Sequence, residues 1–455
     1  MLSALFQPRR VALVGASEQP GRMGELFWRN LTGEGSGGFP GEVVPVSASS
    51  ATVFGHTAYP TLRDVPGDID LAVIVVPAPA VPVVLADAAA KGVLAALVIS
   101  GGFAETGADG ARLQAALVAA ARAGGVRVVG PNCFGVQNCD LPLNASMARG
   151  LPTGGGGISL VTQSGAYGMA IHGVALDERA RFAKVCSTGN KADVGDTDLL
   201  TYLGADPSTR TACFFLESLP DGRAFVETAA ALTSDKPVLV ARTGRSAAGA
   251  RAAVSHTAAL AGSERIWRAA FDRAGVVLAR SGLELLDAAR ALDSQPLPAG
   301  NRVAIITNSG GTGVELADLL SDEGLAVPEL SAGLQVELRA VLPAFASAAN
   351  PVDMTPIWRR YVELYPLLVD LLARSGEVDI VLPVLLQRAA SEPAVVEAVR
   401  DAVVRLRLDS VAVPVYACWV AARADRPNAD LLQEAGVPCF EWPERTARAV
   451  GHAAR

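Results

Sequence analysis

The sequence predicts an α/β protein built on parallel β-sheets, and three observations support that prediction. Short apolar runs rich in Val and Ile alternate with Ala- and Leu-rich helical patterns along all 455 residues. Many of the runs have the length and apolar character of strands that helices cover on both faces. Small-residue turns follow several runs directly, as expected where a parallel strand leads into a helix.

The first series of strands falls within residues 1–150, with helices between most of them. Its five strands are predicted at Arg10–Gly15, Glu42–Val46, Leu71–Val76, Ala95–Ile99 and Arg127–Val129.

Two further series follow, and the length of the chain suggests about three domains. Residues 151–295 hold predicted strands at Ile158–Thr162, Phe182–Ser187, Thr211–Leu216, Pro237–Ala241 and Val276–Ala279. Residues 300–455 hold predicted strands at Val303–Thr307, Val378–Val384, Val413–Cys418 and Val437–Phe440. We therefore expect three α/β units with boundaries at 1–150, 151–295 and 300–455.

A weak internal repeat supports the division between the last two units. Thr162-Gln-Ser-Gly-Ala-Tyr-Gly168 and Thr307-Asn-Ser-Gly-Gly-Thr-Gly313 share the pattern T-x-S-G-x-x-G, and each follows the first strand of its series and opens a helix. Small residues suit strand-to-helix turns in general, which is the alternative explanation. Duplicated flavodoxin-like units explain the matching position better.

Composition excludes several classes of protein. The formal net charge of −7 argues against a nucleic-acid partner held by bulk electrostatics. The apolar run 71–90 is broken by Pro77, Pro79 and Pro82 and charged at Asp87, so we expect strand, loop and helix there and no membrane span. The N-terminus has no signal-peptide layout and the six Cys form no C-x-x-C pair. A reduced, cytoplasmic location is expected.

The first glycine turn invites a dinucleotide interpretation. Gly15-Ala-Ser-Glu-Gln-Pro-Gly-Arg-Met-Gly24 follows the first strand, and glycines there allow a phosphate to approach a helix N-terminus. The spacing departs from G-x-G-x-x-G, however, and the second strand ends in Val44-Pro45-Val46-Ser47 without the acidic residue that binds a ribose. A different nucleotide-bearing cofactor fits better, and an NAD-dependent oxidoreductase stays an alternative that rests on this turn alone.

Loops at the ends of other strands in the first series are expected to border one ligand-binding crevice together with this turn. Val76-Pro77, Ser100-Gly-Gly-Phe-Ala-Glu-Thr-Gly107 and Gly130-Pro-Asn-Cys-Phe-Gly135 each follow a strand of the first series. Ligands of open α/β sheets bind at the carboxyl ends of the strands, so these loops are expected to converge.

His256 is the candidate nucleophile. It is one of four histidines and lies in Thr243–Ser263, a stretch of small residues expected to form a long loop between a strand and a helix. An imidazole in such a loop is accessible to large reactants and is largely unprotonated near neutral pH. An ordinary surface histidine is the alternative.

Taken together, these residues resemble the NDP-forming acyl-CoA synthetases, the family that contains the succinyl-CoA ligase α-subunit and the ADP-forming acetyl-CoA synthetases. The likeness runs from about Arg9 to the C-terminus. It is carried by Val14-Gly-Ala-Ser17, Gly130-Pro-Asn-Cys133, Gln163-Ser-Gly-Ala166, Ser187-Thr-Gly-Asn-Lys-Ala-Asp193, Ser255-His-Thr257 with Gly262-Ser263, and Asn350-Pro-Val-Asp353. The three-unit layout is most similar to the α-subunit of the acetyl-CoA type. It implies a Rossmann-like CoA-binding domain followed by two flavodoxin-like domains.

The resemblance implies a site for each substrate. Coenzyme A would be bound by Gly15, Ser17, Pro45, Val76, Pro77, Ser100, Gly101, Asn132 and Cys133. His256 would be phosphorylated transiently, Glu217 would hydrogen-bond its imidazole, and the amides of Gln163, Ser164, Gly165 and Ala166 would face the phosphate. A carboxylate on one ring nitrogen sets the tautomer and stabilises the charged adduct. Phosphate would convert an acyl-CoA to acyl phosphate, and the phosphoryl group would then pass to histidine and to ADP.

The chain departs from the family pattern at two points. The family often follows the second strand with Asn-Pro and a Lys or Asn that helps to bind CoA, where this chain has Val44-Pro45-Val46. No ATP-grasp domain or G-x-x-x-x-G-K-[ST] loop is present in the sequence. A separate ATP-grasp β-subunit is therefore expected to supply ADP or ATP and Mg²⁺ in a hetero-oligomer. The alternative is a non-catalytic CoA- or acyl-CoA-binding regulatory protein on the same scaffold.

Overall fold

The computed structural model describes residues 2–33, 38–152, 154–257 and 263–455, without the side chains of residues 253–257. The chain divides into two compact units, Met1–Gly282 and Leu283–Arg455. Within the described residues, no helix has the length and apolar character that crossing a membrane requires.

The first unit contains the strands β1 to β14, numbered in chain order. They are β1 Arg10–Val14, β2 Glu42–Val46, β3 Thr52–Val53, β4 His56–Thr57, β5 Leu71–Ile74, β6 Ala95–Val98, β7 Arg127–Val129, β8 Gly135–Asn138, β9 Leu143–Ser146, β10 Ile158–Thr162, β11 Phe182–Ser187, β12 Thr211–Leu216, β13 Val238–Arg242 and β14 Val277–Ala279. The strands of the second unit are β15 Val303–Thr307, β16 Val352–Asp353, β17 Ile380–Leu386, β18 Ala417–Val420 and β19 Cys439–Glu441.

α-Helices lie between many of these strands. In the first unit they are α1 Ser3–Phe6, α2 Met23–Thr32, α3 Val81–Lys91, α4 Ala108–Ala123, α5 Gly165–Asp177, α6 Asp196–Ala205, α7 Gly222–Leu232, α8 Ala247–Thr257 and α9 Glu264–Arg273. The others are α10 Gly282–Asp293, α11 Gly310–Asp322, α12 Ala332–Val341, α13 Tyr361–Arg374, α14 Gln387–Ala390, α15 Pro393–Leu408, α16 Arg426–Glu434 and α17 Pro443–Ala453.

The first sheet is fully parallel and has the order β2-β1-β5-β6-β7. Both of its faces are buried, because successive residues of one strand pack into different cores. Leu13 and Val73 contribute to one hydrophobic cluster, and Val14 and Ile74 contribute to the other. This two-sided burial explains why the strands appear in the sequence as continuous apolar runs.

The second sheet has the order β14-β13-β12-β10-β11-β8-β9. The strands β10 to β14 are parallel, as predicted, but β8 pairs antiparallel with β11 and β9 pairs antiparallel with β8. These two strands were missed because Gly135–Ser146 contains Gly, Asp, Pro and two Asn, which β-propensity does not favour. They precede the predicted boundary at 150, although they belong to the sheet that follows it. The division into domains at that boundary stays a prediction.

The third sheet has the order β16-β15-β17-β18-β19 and is parallel. The strand β16 was not predicted, because two residues give no periodic pattern. The predicted strand Val413–Cys418 instead begins at Ala417. Pro414 has no backbone N–H to donate, and its carbonyl accepts from Val381 N at 3.1 Å just before the regular ladder starts.

The parallel strands of all three sheets share one arrangement. Numbered within its own sheet, each runs in the order 2-1-3-4-5, so the strand order reverses between the first and third strands. The carboxyl ends of these two strands border the crevice where open α/β sheets bind ligands. The reversal lies between β1 and β5, between β10 and β12, and between β15 and β17.

Candidate functional site

The structure places most of the predicted CoA-binding residues at the carboxyl edge of the first sheet. Gly15 follows β1, and Val76 and Pro77 follow β5, which is the other strand at the reversal. Gly15 donates its N–H to Val46 O at 2.9 Å and has a φ of +96°. A Cβ there would lie 3.1 Å from the Val76 side chain, so this close turn requires glycine.

Three loops at this edge are joined by hydrogen bonds. The Ser100 hydroxyl donates to Val76 O, and Asn132 N donates to Ser100 O at 2.9 Å. Gly101 and Asn132 are exposed. The loops that follow β5, β6 and β7 therefore form one connected surface, as the sequence predicted.

Ser17, Pro45 and Cys133 have different environments. The Ser17 hydroxyl accepts from the backbone N of Gln19 at 3.1 Å, within its own turn. Pro45 is buried inside β2, an edge strand, where the missing N–H of proline is tolerated. Cys133 is 3% exposed, and its thiol donates to Val98 O at 3.3 Å. Burial raises the pKa of Cys133 to about 12, so its sulfur is a neutral thiol at physiological pH.

Glu105 and Asn190 also belong to this surface, and the sequence did not single them out. Glu105 accepts from Gly102 N at 2.6 Å, and Asn190 Nδ2 donates to Glu105 at 2.5 Å. Partial burial disfavours the ionised form of Glu105, but these hydrogen bonds outweigh it and hold the pKa below its usual value. Both residues lie within quoted motifs, and an acid among small turn residues was the available signal.

The second sheet presents the predicted phosphate-binding segment at its own reversal. Ser164 precedes α5, and the backbone N–H groups of Ser164, Gly165 and Ala166 find no acceptor within the described part of the chain. Gln163 differs from them, because its N–H donates to Phe215 O at 3.1 Å. Three amides at a helix N-terminus, where the dipole favours an anion, are therefore available for a phosphate.

The Gln163 side chain holds the segment that carries Glu217. Its Oε1 accepts from Glu217 N at 3.1 Å and from Ser218 N at 2.8 Å, while its Nε2 donates to the Ser218 hydroxyl at 2.9 Å. Glu217 follows β12, so the acid and the start of α5 lie on the two strands that flank the reversal.

A cavity of about 790 Å³ opens between these groups. Its lining includes Ser164, Glu217 and the segment 242–246. The charged residues of the lining are four arginines and two glutamates. The arginines are Arg242, Arg245, Arg268 and Arg280. Arg242 is paired with Glu264 at 2.9 Å, which leaves an excess of positive charge around the cavity. Such a lining suits an anionic ligand.

The prediction of a long loop around His256 was wrong. Ala247–Thr257 forms helix α8, because its alanines favour a helix and the Ser246 hydroxyl accepts from Gly249 N at 3.0 Å as an N-terminal cap. The backbone of His256 falls in the last turn of α8. Its side chain and the motif residue Gly262 lie outside the described part of the structure.

Three family models match successive segments of the chain. A CoA-binding domain model covers residues 9–138, a succinyl-CoA ligase-like flavodoxin domain model covers 155–292, and a ligase-CoA domain model covers 303–453. The α-subunit of acetate–CoA ligase (ADP-forming) II from Pyrococcus furiosus is 37% identical over 99% of this chain and 96% of its own. The chain belongs to the NDP-forming acyl-CoA synthetase family.

A solved structure and a longer relative support the same relationship. An acetyl-coenzyme A synthetase from Candidatus Korarchaeum cryptofilum, in complex with phosphate and ADP, is 33% identical, with a TM-score of 0.91 over 100% of this chain and 96% of its own. Acetate–CoA ligase (ADP-forming) I from Archaeoglobus fulgidus is 36% identical over 99% of this chain, which covers 63% of that longer relative. The prediction of a CoA-binding domain followed by flavodoxin-like domains is confirmed.

Proposed function

We propose that this chain is the α-subunit of an NDP-forming acyl-CoA synthetase that works with a separate ATP-grasp β-subunit. Together they would interconvert acyl-CoA, ADP and phosphate with carboxylic acid, CoA and ATP. The observation that carries the proposal is the placement of Glu217 beside the N-terminus of α5 at one strand-order reversal, with Gln163 joining them. Residues 1–150 would bind CoA, 151–295 would carry the phosphohistidine, and 300–455 would form the second flavodoxin-like unit.

The first step would consume the acyl-CoA. A phosphate oxygen attacks the thioester carbonyl, the C–S bond breaks, and the CoA thiolate leaves with the electron pair and takes up a proton. The three amides of Ser164, Gly165 and Ala166 would orient the phosphate and offset its charge. The loops of Gly15, Val76, Ser100 and Asn132 would position the CoA.

The second step would transfer the phosphoryl group to His256. The unprotonated ring nitrogen attacks phosphorus, the bond between phosphorus and the acyl oxygen breaks, and the carboxylate leaves. Glu217 would accept a hydrogen bond from the other ring nitrogen and stabilise the positive charge that develops on the imidazole. The arginines that line the cavity would favour the anionic acyl phosphate there.

The last step would take place with a partner. ADP would accept the phosphoryl group from phosphohistidine, with Mg²⁺ and nucleotide held by the ATP-grasp subunit. The names of the Pyrococcus furiosus relatives as α-subunits support a partner, and so does the greater length of the Archaeoglobus fulgidus relative. Reduced surroundings such as the cytoplasm are proposed for the complex.

The experiment is phosphate incorporation into the purified chain. The chain is mixed with radiolabelled phosphate and acyl-CoA, and acid-labile, base-stable label is counted. Relatives are named for acetate, 4-hydroxybutyrate and trans-feruloyl-CoA, so these three acyl groups form the panel. We expect label on the wild type and none on His256→Asn.

The chain provides a matched control histidine. His452 Nε2 lies 2.8 Å from Glu284 Oε1, a histidine–carboxylate pair outside the proposed site. His452→Asn is expected to keep the label. Label that persists in His256→Asn would refute the proposed nucleophile. CoA binding without label, even with candidate β-subunits present, would favour the non-catalytic CoA-binding alternative, and ATP synthesis by the chain alone would refute the need for a partner.

A further inference from the structure

A buried lysine holds the segment that carries Glu217. Lys191 lies after β11, and its Nζ donates to Asp196 Oδ2 at 2.6 Å and to Ser218 O at 2.8 Å. The side chains of Lys191 and Asp196 are 3% and 1% exposed. The ammonium therefore links the loop after β11 to the loop after β12, where Glu217 lies.

Ser218 is held through both of its backbone groups. Its N–H donates to Gln163 Oε1 at 2.8 Å, and its carbonyl accepts from Lys191. The N–H of Glu217 also donates to Gln163. Gln163 follows β10 and Lys191 follows β11. Two neighbouring strands therefore hold the backbone from which the Glu217 side chain extends.

Burial disfavours the charged form of each member of the Lys191–Asp196 pair. Burial lowers the pKa of Lys191, although the charges of Asp196 and Glu217 oppose that effect. Asp196 Oδ1 is buried and has no hydrogen-bond partner within the described residues. Replacing such a pair with apolar residues is often neutral or stabilising, so its burial alone is weak evidence for a contribution to stability. What distinguishes Lys191 is its hydrogen bond to the Ser218 carbonyl, next to Glu217.

We propose that Lys191, anchored by Asp196, is a positioning residue that aligns Glu217 for phosphoryl transfer to His256. The inference rests on the proposed function. Lys191 acts through the Ser218 carbonyl and has no assigned contact with substrate. Its loss would let the Glu217 loop shift, and small displacements of an aligned group cost rate more than they cost substrate affinity.

The test compares two buried lysines in one sheet. Lys184 Nζ lies 2.5 Å from Asp206 Oδ2, and these side chains are 1% and 3% exposed, which matches the burial of the Lys191 pair. Lys191→Met and Lys184→Met would thus suffer similar losses of stability. The double variant Lys191→Met, Asp196→Leu removes both charges, so it leaves no unpaired buried carboxylate if the single variant fails to fold.

The rate of label transfer from radiolabelled acetyl phosphate to the full chain is measured at several concentrations. We expect Lys191→Met and the double variant to lower the maximal rate at least about tenfold, with the half-saturating concentration changed less than about twofold. Lys184→Met is expected to keep the wild-type rate. Equal rates in the Lys191 and Lys184 variants would overturn the inference.

Hydrogen exchange separates this inference from the proposed function. Peptides that span residues 213–222 are expected to exchange faster in both Lys191 variants than in Lys184→Met. If the wild type takes up no label even with candidate β-subunits present, the proposed function fails. Unchanged exchange in the Lys191 variants would refute the positioning role whatever the labelling result.

Discussion

Helix α5 packs so closely on β10 that one added methyl group is expected to disturb the candidate phosphate site. A Cβ at Gly168 would lie 2.6 Å from Thr162 Cγ2. Thr162 is fully buried, and its hydroxyl donates to Ser164 O at 3.0 Å. The methyl group of Thr162 therefore cannot rotate away without the loss of that hydrogen bond, so we expect Gly168→Ala to push α5 outward.

The magnitude follows from two opposing effects. Alanine is favoured over glycine in a helix interior by about 1 kcal/mol. Overpacking a close contact costs about 1–3 kcal/mol, so Gly168→Ala should be between neutral and about 2 kcal/mol destabilised. Gly173 lies on the same helix and has nothing within 4 Å of an added Cβ. Gly173→Ala should therefore be stabilised by about 1 kcal/mol.

Scanning calorimetry of the full chain measures this difference, with Gly173→Ala as the matched control. For a unit of this size, about 1 kcal/mol corresponds to about 2 °C, so the transition of the first unit should differ by about 2–6 °C between the two variants. The rate at which His256 takes up label should also be at least about tenfold lower in Gly168→Ala than in the wild type, because the amides at the start of α5 move with the helix. Equal melting temperatures and equal labelling rates would refute the close-packing argument.

Three further predictions concern single residues. Burial raises the pKa of Cys133 to about 12, so its thiol should resist alkylation at about pH 8 in the folded chain. In about 6 M urea, within the usual range for unfolding such chains, the thiol should react. Mass spectrometry of the peptide that contains Cys133 measures both outcomes. Burial lowers the pKa of His172, so the unfolded chain binds a proton that the folded chain excludes. The free energy of unfolding therefore decreases as the pH falls below about 6.5, the ordinary pKa of histidine. Between about pH 7 and about pH 5, the melting temperature of His172→Gln should fall less than that of the wild type. Asn350 donates to two backbone carbonyls at 2.7 and 3.1 Å and accepts from a backbone N–H at 3.0 Å, so Asn350→Ala should destabilise the second unit by about 2–3 kcal/mol, measured by urea unfolding.

The elements that the sequence predicted well are those with strong local patterns. Ile158–Thr162, Phe182–Ser187 and Thr211–Leu216 were predicted to the residue, because each is an apolar run bounded by polar or small residues. The strands β8 and β9 were missed, since the pairing of β8 with β11 is a long-range contact and the β8–β9 hairpin has a composition that β-propensity does not favour. The hydrogen bonds of Gln163 and Lys191 to one serine are long-range in the same way.

The structure gives the Asn350-Pro-Val-Asp353 motif a physical role. The sequence offered this motif only as one mark of the family resemblance. In the structure, the Asn350 side chain bridges the backbones of Val303, Ile305 and Pro328, which fixes the start of β16 against β15. Its role is therefore to hold the strand that carries Asp353, and one side chain performs it with three hydrogen bonds.

The internal repeat separates what the scaffold supplies from what the chemistry requires. In the second unit, the Thr307 hydroxyl donates to Ser309 O at 2.9 Å, and a Cβ at Gly313 would lie 2.9 Å from Thr307 Cγ2, so the close turn before α11 matches the turn before α5. The residue after the third strand differs, however. Glu217 follows β12, whereas Gln387 follows β17, where its amide accepts from Ala422 N at 2.9 Å and donates to Asp425 at 2.8 Å. A neutral amide occupied by a neighbouring loop cannot stabilise a charged imidazole as a carboxylate does. The T-x-S-G-x-x-G turn therefore marks the architecture. Under the proposed function, the side chain across the strand-order reversal would decide which unit supports phosphoryl transfer.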